Sequence, residues 1–386
     1  RARAIARATD GDTLRDQLEL VQIPAPSLAE AERGAEVARR LRLLGVEGVD
    51  VDGVGNVTGT LAHAGAEVPP LIVAAHLDTI FPADTPLQLR RRSGRWCAPG
   101  IADNTRGLAG LLALARALGG AGVRTARPVV LVASVGEEGR GDLRGVKHLF
   151  RGGSPYRHAA AFISLDGSGL GRIVMRAVGS RRLRVTARGP GGHSWADRGT
   201  PNPVQALGAA VQALGEHRPP PEAPASLTIA RIQGGMSVNS IPAAAWMEID
   251  LRAEDGGVLA RMEAEVRVAV AASSEAEGRN RAGAGDALTL LVEVIGDRPS
   301  GEADAASALV RLALGVTEAL GERAELSAAS TDANVPISLG IPSVTVGAGG
   351  DSGGVHTTDE WYDNRRGAIG VERALLLVMG AAGVAG

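Results

Sequence analysis

Side chains that bind metals or move protons sit at the ends of apolar runs in this sequence. His76 and Asp78 close LIVAAH (71–76), and Glu137 and Glu138 follow PVVLVASV (128–135). Asp166 ends AAFISLD (160–166), and His356 follows PSVTVGAGG (342–350) and its glycine-rich loop. Asp103 lies in GIADN (100–104), just before a helix-forming stretch. In open parallel sheets, ligands gather beyond the carboxyl ends of strands, so these residues would converge in one cleft. Singly, each has an ordinary explanation, because Asp and Glu also cap helices and end strands; that explanation serves the whole set poorly. Carboxylates and imidazoles without a thiolate suit zinc, and also manganese or cobalt. The donors outnumber what one tetrahedral ion takes. Two ions sharing a carboxylate would use them all, and such a pair, typically ~3.5–4 Å apart, clamps an attacking water and polarises a carbonyl. The neighbours Glu137 and Glu138 could instead be two solvated acids on an exposed helix. Directly after a buried strand, however, two unpaired anions are costly, and neutralisation by metal is the better account.

Such a cleft needs a rigid frame. LIVAAH, PVVLVASV and AAFISLD are continuous apolar runs, the pattern of strands buried on both faces. GLAGLLALARAL (107–118) reads as a helix, residues 13–21, 29–44 and 143–150 carry helical spacing, and 56–61 reads as a strand. This alternation predicts a mostly parallel sheet covered by helices. After residue 177 the rhythm changes. An alternating strand at 181–189 leads to a helix at 202–217, a Pro-rich break at 219–224, and alternating strands at 226–235 and 243–254. An amphipathic helix at 257–272, an Ala/Glu/Gly-rich helix end and loop at 271–287, and an alternating strand at 287–296 complete the segment. That order predicts a small ferredoxin-like α+β sheet with helices on one face. The first pattern then returns, with a helix at 305–319, a buried strand from 342 and a final helix at 367–379. The expected fold class is α/β, with a discontinuous catalytic domain at 1–177 and 296–386 and an inserted domain at 178–295.

Bulk properties narrow the possible functions. The 386 residues are 45% hydrophobic and 22% charged, with only 2% aromatic, so two cores built mainly on Ala, Leu and Val are expected. A net charge of −2 gives no electrostatic case for nucleic acid; Arg90, Arg91, Arg92 and Arg95 read as a solvated hairpin or loop. No apolar run is long enough to span a bilayer, and LLLVMGAAGVAG (375–386) reads as a terminal helix packed on a core. The lone Cys97 excludes an internal disulfide and a thiolate metal cluster, and it points to a reducing, cytoplasmic setting. Beside Trp96, it reads as a small packed hydrophobe. No signal-peptide pattern is visible, and Arg1 in place of Met implies a true start further upstream.

HLDT (76–79), GIADN (100–104), GEEG (136–139), SLDG (164–167), GGHS (191–194) and the late His356 occur in a telling order. In it the chain resembles the metallopeptidase family that contains peptidase T, bacterial glutamate carboxypeptidase, aminoacylase and succinyl-diaminopimelate desuccinylase. The likeness runs over nearly the whole chain. Its motifs are specific for the family and much less so for substrate. The resemblance implies two zinc ions, with Asp103 bridging them, His76 and Asp166 completing one site, and Glu138 and His356 completing the other. It makes Glu137 the general base, which takes a proton from the attacking water and passes it to the leaving amine. Asp78 would orient the His76 ring, in keeping with strand geometry and with the habit of metal-bound histidines of donating their other N–H to an acceptor.

In the inserted domain the resemblance implies a homodimer, formed through the sheet edge and first helix, in which His193 stabilises the oxyanion in the other subunit. Asn239 and Arg252 would hold polar substrate groups, often a carboxylate, a task suited to the planar guanidinium fork. Gly349, in the loop GAGGDSGG (347–354), would contact substrate, and Thr331 and Asp332 in STDAN (330–334) align with an active-site segment. Plainer alternatives stand beside these: His193 as a loop residue, and Arg252 paired with Glu254 or Asp250. Family branches that act as aminopeptidases or dipeptidases carry Asp at the position of Asp166, so a small peptide is the expected substrate. An N-acyl amino acid hydrolase or a carboxypeptidase is the alternative.

Two other classes compete with an enzyme. A metal-holding module without turnover would be expected to lack the base, yet Glu137 is present. A structural protein with an acidic cleft would leave His76 and His356 unexplained. His63, His148, His158 and His217 match no motif, and GSGLGR (167–172) has the wrong spacing for a nucleotide-binding glycine loop.

Overall fold

In a computed structural model, which describes residues 1–65, 67–216, 224–281 and 288–385, the three apolar runs are neighbouring parallel strands. Val129–Ser134 pairs with Leu71–His76, Leu71–His76 pairs with Ala161–Leu165, and Ala161–Leu165 pairs with Ser343–Val346. Their continuous hydrophobicity has a direct cause. Leu71, Val73 and Ala75 enter one apolar cluster with helix Thr105–Ala121 and helix Gly367–Ala382, whereas Ile72 and Ala74 enter another with Val146, Leu149 and Phe150. Successive strand residues point to opposite faces, so a strand covered by helices on both sides needs an apolar residue at every position.

The chain divides into two compact units, Arg1–Ala177 with Glu302–Gly386, and Val178–Gly301. The sheet of the first unit extends antiparallel from Val129–Ser134 to Val57–Leu61 and Glu47–Val51. At its other side Arg172–Ala177 runs antiparallel to Ser343–Val346 and parallel to Glu325–Ala329. Three of these strands were not anticipated. Glu47–Val51 is exposed at all but one position and lacks an apolar signal, Arg172–Ala177 is hidden behind its glycine loop, and Glu325–Ala329 is a short, half-exposed run.

Gly107 fixes how the buried helix meets the sheet. A Cβ there would lie 2.2 Å from Asn104 Oδ1 and 2.3 Å from the Leu165 carbonyl oxygen. Only glycine lets the helix start this close to a strand end. The arginine-rich segment forms the hairpin Arg90–Arg92 and Arg95–Cys97, turning on Ser93 (φ 50°) and Gly94 (φ 83°) as two-residue hairpins favour. The Arg95 guanidinium lies 3.8 Å from the Trp361 ring centroid, and Cys97 is buried. Among the described residues, no helix is long and apolar enough to cross a membrane.

The second unit is a βαββαβ arrangement. Its four antiparallel strands lie in the order Ala225–Gly234, Ala244–Ala253, Gly179–Arg188, Thr289–Arg298, a ferredoxin-like order. Alternate residues Leu183, Val185 and Ala187, with Met247, Ile249 and Leu251, form one face. That face packs against Leu207, Ala210 and Leu214 of helix Pro203–Gly215 and Met262, Val266 and Val270 of helix Gly256–Asn280. Two boundaries differ from expectation. The last strand runs to Arg298, paired with Ser180, so the unit reaches Gly301 rather than residue 295. Helix Gly256–Asn280 continues past residue 272, helped by a Glu277–Arg281 pair at 3.0 Å. The expected helix end at His217, residues 219–223 of the Pro-rich break, and residues 282–287 of the Ala/Glu/Gly-rich loop lie outside the described residues.

Candidate metal centre and active site

His76 is the last residue of its strand, Glu137 and Glu138 come just after Val129–Ser134, and Asp166 follows Ala161–Leu165. Because the three strands are adjacent and parallel, these side chains share one sheet edge. His76 Nε2 lies 3.1 Å from Asp103 Oδ1 and 3.8 Å from Asp166 Oδ1. His356 Nε2 lies 3.0 Å from Asp103 Oδ2 and 2.9 Å from Glu138 Oε1. The two oxygens of Asp103 thus face two different imidazoles. Donor atoms of His76, Asp103 and Asp166 lie within 4.8 Å of one another, as do those of Asp103, Glu138 and His356, and those of His76, Glu137 and Glu138. Asp103, Glu138 and Asp166 are 15%, 10% and 20% exposed, a crowding of carboxylates that is unfavourable without positive charge among them. Oxygen and imidazole donors in two triads sharing one carboxylate fit two divalent cations.

The frame behind these groups is itself polar and fixed. Asp78 is fully buried and accepts the backbone N–H groups of Glu137 and Glu138, both at 2.9 Å, as well as the Ser27 hydroxyl. His76 Nδ1 is 3.0 Å from the Asp78 backbone carbonyl but 3.6 Å from its carboxylate. The carbonyl takes the shorter contact to the ring, and the carboxylate, which also faces it, pins the Glu137–Glu138 turn. Asn104 ties the next two ligands together: its Oδ1 accepts from Gly107 N at 3.0 Å and Gly167 N at 3.1 Å, and its Nδ2 donates to the Leu165 carbonyl at 2.9 Å.

Glu360 was not singled out from the sequence. It is fully buried, and its carboxylate accepts backbone N–H groups from Gly100 (3.0 Å), Ala102 (2.7 Å) and Asp103 (3.0 Å). It therefore holds the loop that presents Asp103. Burial pushes its carboxyl up to about 7, against the pull of those donors. Its only sequence signal is an acid four residues after His356. Asp332, in STDAN, is buried and accepts the Ser134 hydroxyl, on the strand beside His76; burial pushes its carboxyl up to about 6.

Protons and cations compete for this site. Hydrogen bonds to Asp103 and Glu138 raise His356 to about 10. For His76, burial pulls the pKa down but is outweighed by Asp103, Asp166 and Asp78, leaving it well above the ordinary value. Burial would raise Asp103, yet the two imidazoles hold it below the usual carboxylate range. Near pH 7 both rings therefore carry a proton in the metal-free protein, and metal ligation must displace it. Zinc titration near neutral pH should release up to two protons, with affinity rising as pH climbs toward 10. Calorimetry in buffers of different ionisation enthalpy measures this, and uptake without proton release would remove the imidazoles from the ligand set.

The remaining candidates divide by unit. Within the first unit, Thr331 Oγ1 is 2.8 Å from Thr345 Oγ1. Gly349 (φ 86°) is buried, and a Cβ there would lie 2.6 Å from the Gly367 carbonyl oxygen and 2.8 Å from Gly370. Its need for glycine comes from packing on the final helix, and of the glycines in the 347–354 loop it is Gly347 that lines the neighbouring cavity. Within the second unit, Gly192–His193 pairs with Ser240–Ile241, which places exposed His193 beside exposed Asn239. His193 Nδ1 accepts backbone N–H groups from Trp195 at 3.1 Å and Ala196 at 3.3 Å. Arg252 Nε donates to Asp250 at 2.7 Å, the pairing weighed as its plainer role.

Comparison with known proteins gives four matches. The profile of the Peptidase family M20/M25/M40 matches residues 72–379. The chain superposes on the crystal structure of aminopeptidase PepT from Bacillus cereus with a TM-score of 0.75 and 22% identity, covering 97% of this chain and 99% of that one. A tripeptidase from Staphylococcus aureus matches equally, with a TM-score of 0.75, 22% identity and 97% of each chain covered. Among curated proteins, a succinyl-diaminopimelate desuccinylase from Corynebacterium glutamicum is 28% identical over 248 residues. That match covers 63% of this chain and 66% of the relative's length.

Proposed function

The chain belongs to the Peptidase family M20/M25/M40, and from that premise we propose that it is a metallohydrolase that cleaves an amide bond in a small peptide, using two divalent ions and Glu137 as general base. The observation that carries this reading is the divided carboxylate of Asp103, one oxygen toward His76 and the other toward His356. Zinc is the ion best matched to the donors, with manganese or cobalt as substitutes. When bound, the ions supply Lewis acidity to the scissile carbonyl and to the attacking water. His76, Asp103 and Asp166 would hold one, and Asp103, Glu138 and His356 would hold the other.

The chain's own groups do the rest. Glu137, on a turn pinned by Asp78, takes the proton of the attacking water and delivers it to the amine as the C–N bond breaks. Because His193 Nδ1 accepts two backbone N–H groups, its ring proton belongs on Nε2, where it can donate to an oxyanion. In this reading His193 serves the other subunit of a homodimer built through the second unit. Asn239 and Arg252 hold polar groups of the substrate, and the backbone around Gly349 borders it. The lone buried Cys97 is in keeping with a reducing, cytoplasmic setting.

Aminopeptidase, tripeptidase or dipeptidase action is the first choice, supported by Asp166 and by the aminopeptidase and tripeptidase among similar structures. N-acyl amino acid hydrolysis is the second, supported by the likeness to the desuccinylase. The zinc-loaded protein should turn over di- and tripeptides with a free amine and leave their N-acetylated forms intact. The opposite preference would select the second reading. No turnover of either kind, with two ions bound, would overturn the assignment.

A further inference from the structure

A cavity of about 330 Å³ opens beside the candidate metal ligands within the first unit. Asp103 and Asp166 border one part of it, and Arg172 is the one charged residue of its lining that belongs to neither ion triad. The other polar side chains of the lining are hydroxyls. Ser168 Oγ and Ser352 Oγ are 2.7 Å apart, and Thr331 Oγ1 and Thr345 Oγ1 are 2.8 Å apart. In a hydroxyl pair one O–H is spent on its neighbour, and the other remains to be donated. Two such pairs and a guanidinium make a lining rich in donors. Once cations neutralise Asp103 and Asp166, no unneutralised acid remains in it.

The walls are preformed. Arg172 is held at the start of its strand by its Nε bond to Ser327 Oγ at 3.1 Å and its Nη2 bond to the Ala328 carbonyl at 3.2 Å. Arg373, fully buried, donates to the Gly347 carbonyl at 2.7 Å and to the Leu170 carbonyl. It thereby fixes the loops on both sides of the cavity. Val174 and Val355 supply apolar wall for a short methylene stem.

The geometry points to a subsite for a carboxylate carried next to the scissile amide, with Arg172 and the two hydroxyl pairs as its specificity determinants. The inference rests on the hydrolase reading above and adds the substrate class: amides flanked by an acidic group. That carboxylate can come from an aspartyl or glutamyl residue or from a dicarboxylic N-acyl group, and both present the same acceptors.

The test uses the zinc-loaded protein and two independent readouts. In turnover, glutamyl dipeptides should exceed their glutaminyl isosteres in kcat/KM by about tenfold or more, the scale of a charge-assisted contact. Arg172→Gln should collapse that ratio, and Ser352→Ala should reduce it. N-succinyl amino acids, assayed alongside, identify which source of carboxylate is used. In binding, glutarate should be taken up by the wild type, as measured by calorimetry, and about tenfold more weakly by Arg172→Gln. Turnover without acidic preference, and unchanged by Arg172→Gln, would overturn the subsite and leave the hydrolase standing. Arg172-dependent glutarate binding without turnover of any amide would support the subsite and overturn the hydrolase. Absence of Arg172-dependent binding together with absence of preference sinks the proposal outright.

Discussion

Replacing Glu137 by Gln should leave two bound metal ions and lower kcat by ~10²–10⁴-fold, the range typical of a lost general base. Glutamine has nearly the same shape and cannot accept a proton as a carboxylate does. The turn would be preserved, because it is the backbone N–H of Glu137 that bonds Asp78 at 2.9 Å. The loss would correspond to about 3–5 kcal/mol of transition-state stabilisation. Metal content and kcat must be measured on the same sample. His76, Glu137 and Glu138 also form a compact donor group, so loss of an ion with the activity would make Glu137 a ligand. A fall of less than tenfold would place the base elsewhere.

Asp103→Ala should have the broadest effect on metal binding. This residue belongs to two donor triads, whereas Asp166 belongs to one. The account predicts that Asp103→Ala weakens both ions by at least about 100-fold and abolishes turnover, since losing a direct ligand should exceed the 10–100-fold cost of losing an outer partner. Asp166→Ala should release one ion and retain the other. Equilibrium dialysis against zinc, followed by metal analysis, separates the two outcomes. Equal losses in both variants would mean that Asp103 does not bridge.

The elements with the clearest sequence signal are those whose burial is uniform. LIVAAH, PVVLVASV and AAFISLD announce two-faced strands because each position meets a helix-covered layer, and the ligand-type residues after them share an edge because those strands are parallel neighbours. Glu47–Val51 carried no such signal, being a mostly exposed edge strand whose neighbour supplies its hydrogen bonds. Helix Gly256–Asn280 ends inside 271–287, the stretch expected to hold a helix end and loop, and the Ala/Glu/Gly composition there does not fix where the helix stops. Local pairs such as Glu277–Arg281 help to decide it. The support of the candidate site was less legible than its donors. Glu360 reaches the Asp103 loop across 257 positions of sequence, a separation no local pattern encodes. Whether the Asp78 carbonyl or carboxylate makes the shorter contact to His76 is a difference between 3.0 and 3.6 Å, which residue spacing does not specify. Gly349 showed its type but not its reason, which is the close passage of the final helix.

Anomalous diffraction at the zinc edge, from crystals of the zinc-loaded protein, addresses the shared carboxylate most directly. The account predicts two peaks, one in contact with His76, Asp103 and Asp166 and the other with Asp103, Glu138 and His356. A single peak, or two peaks of which Asp103 touches fewer than both, would contradict it.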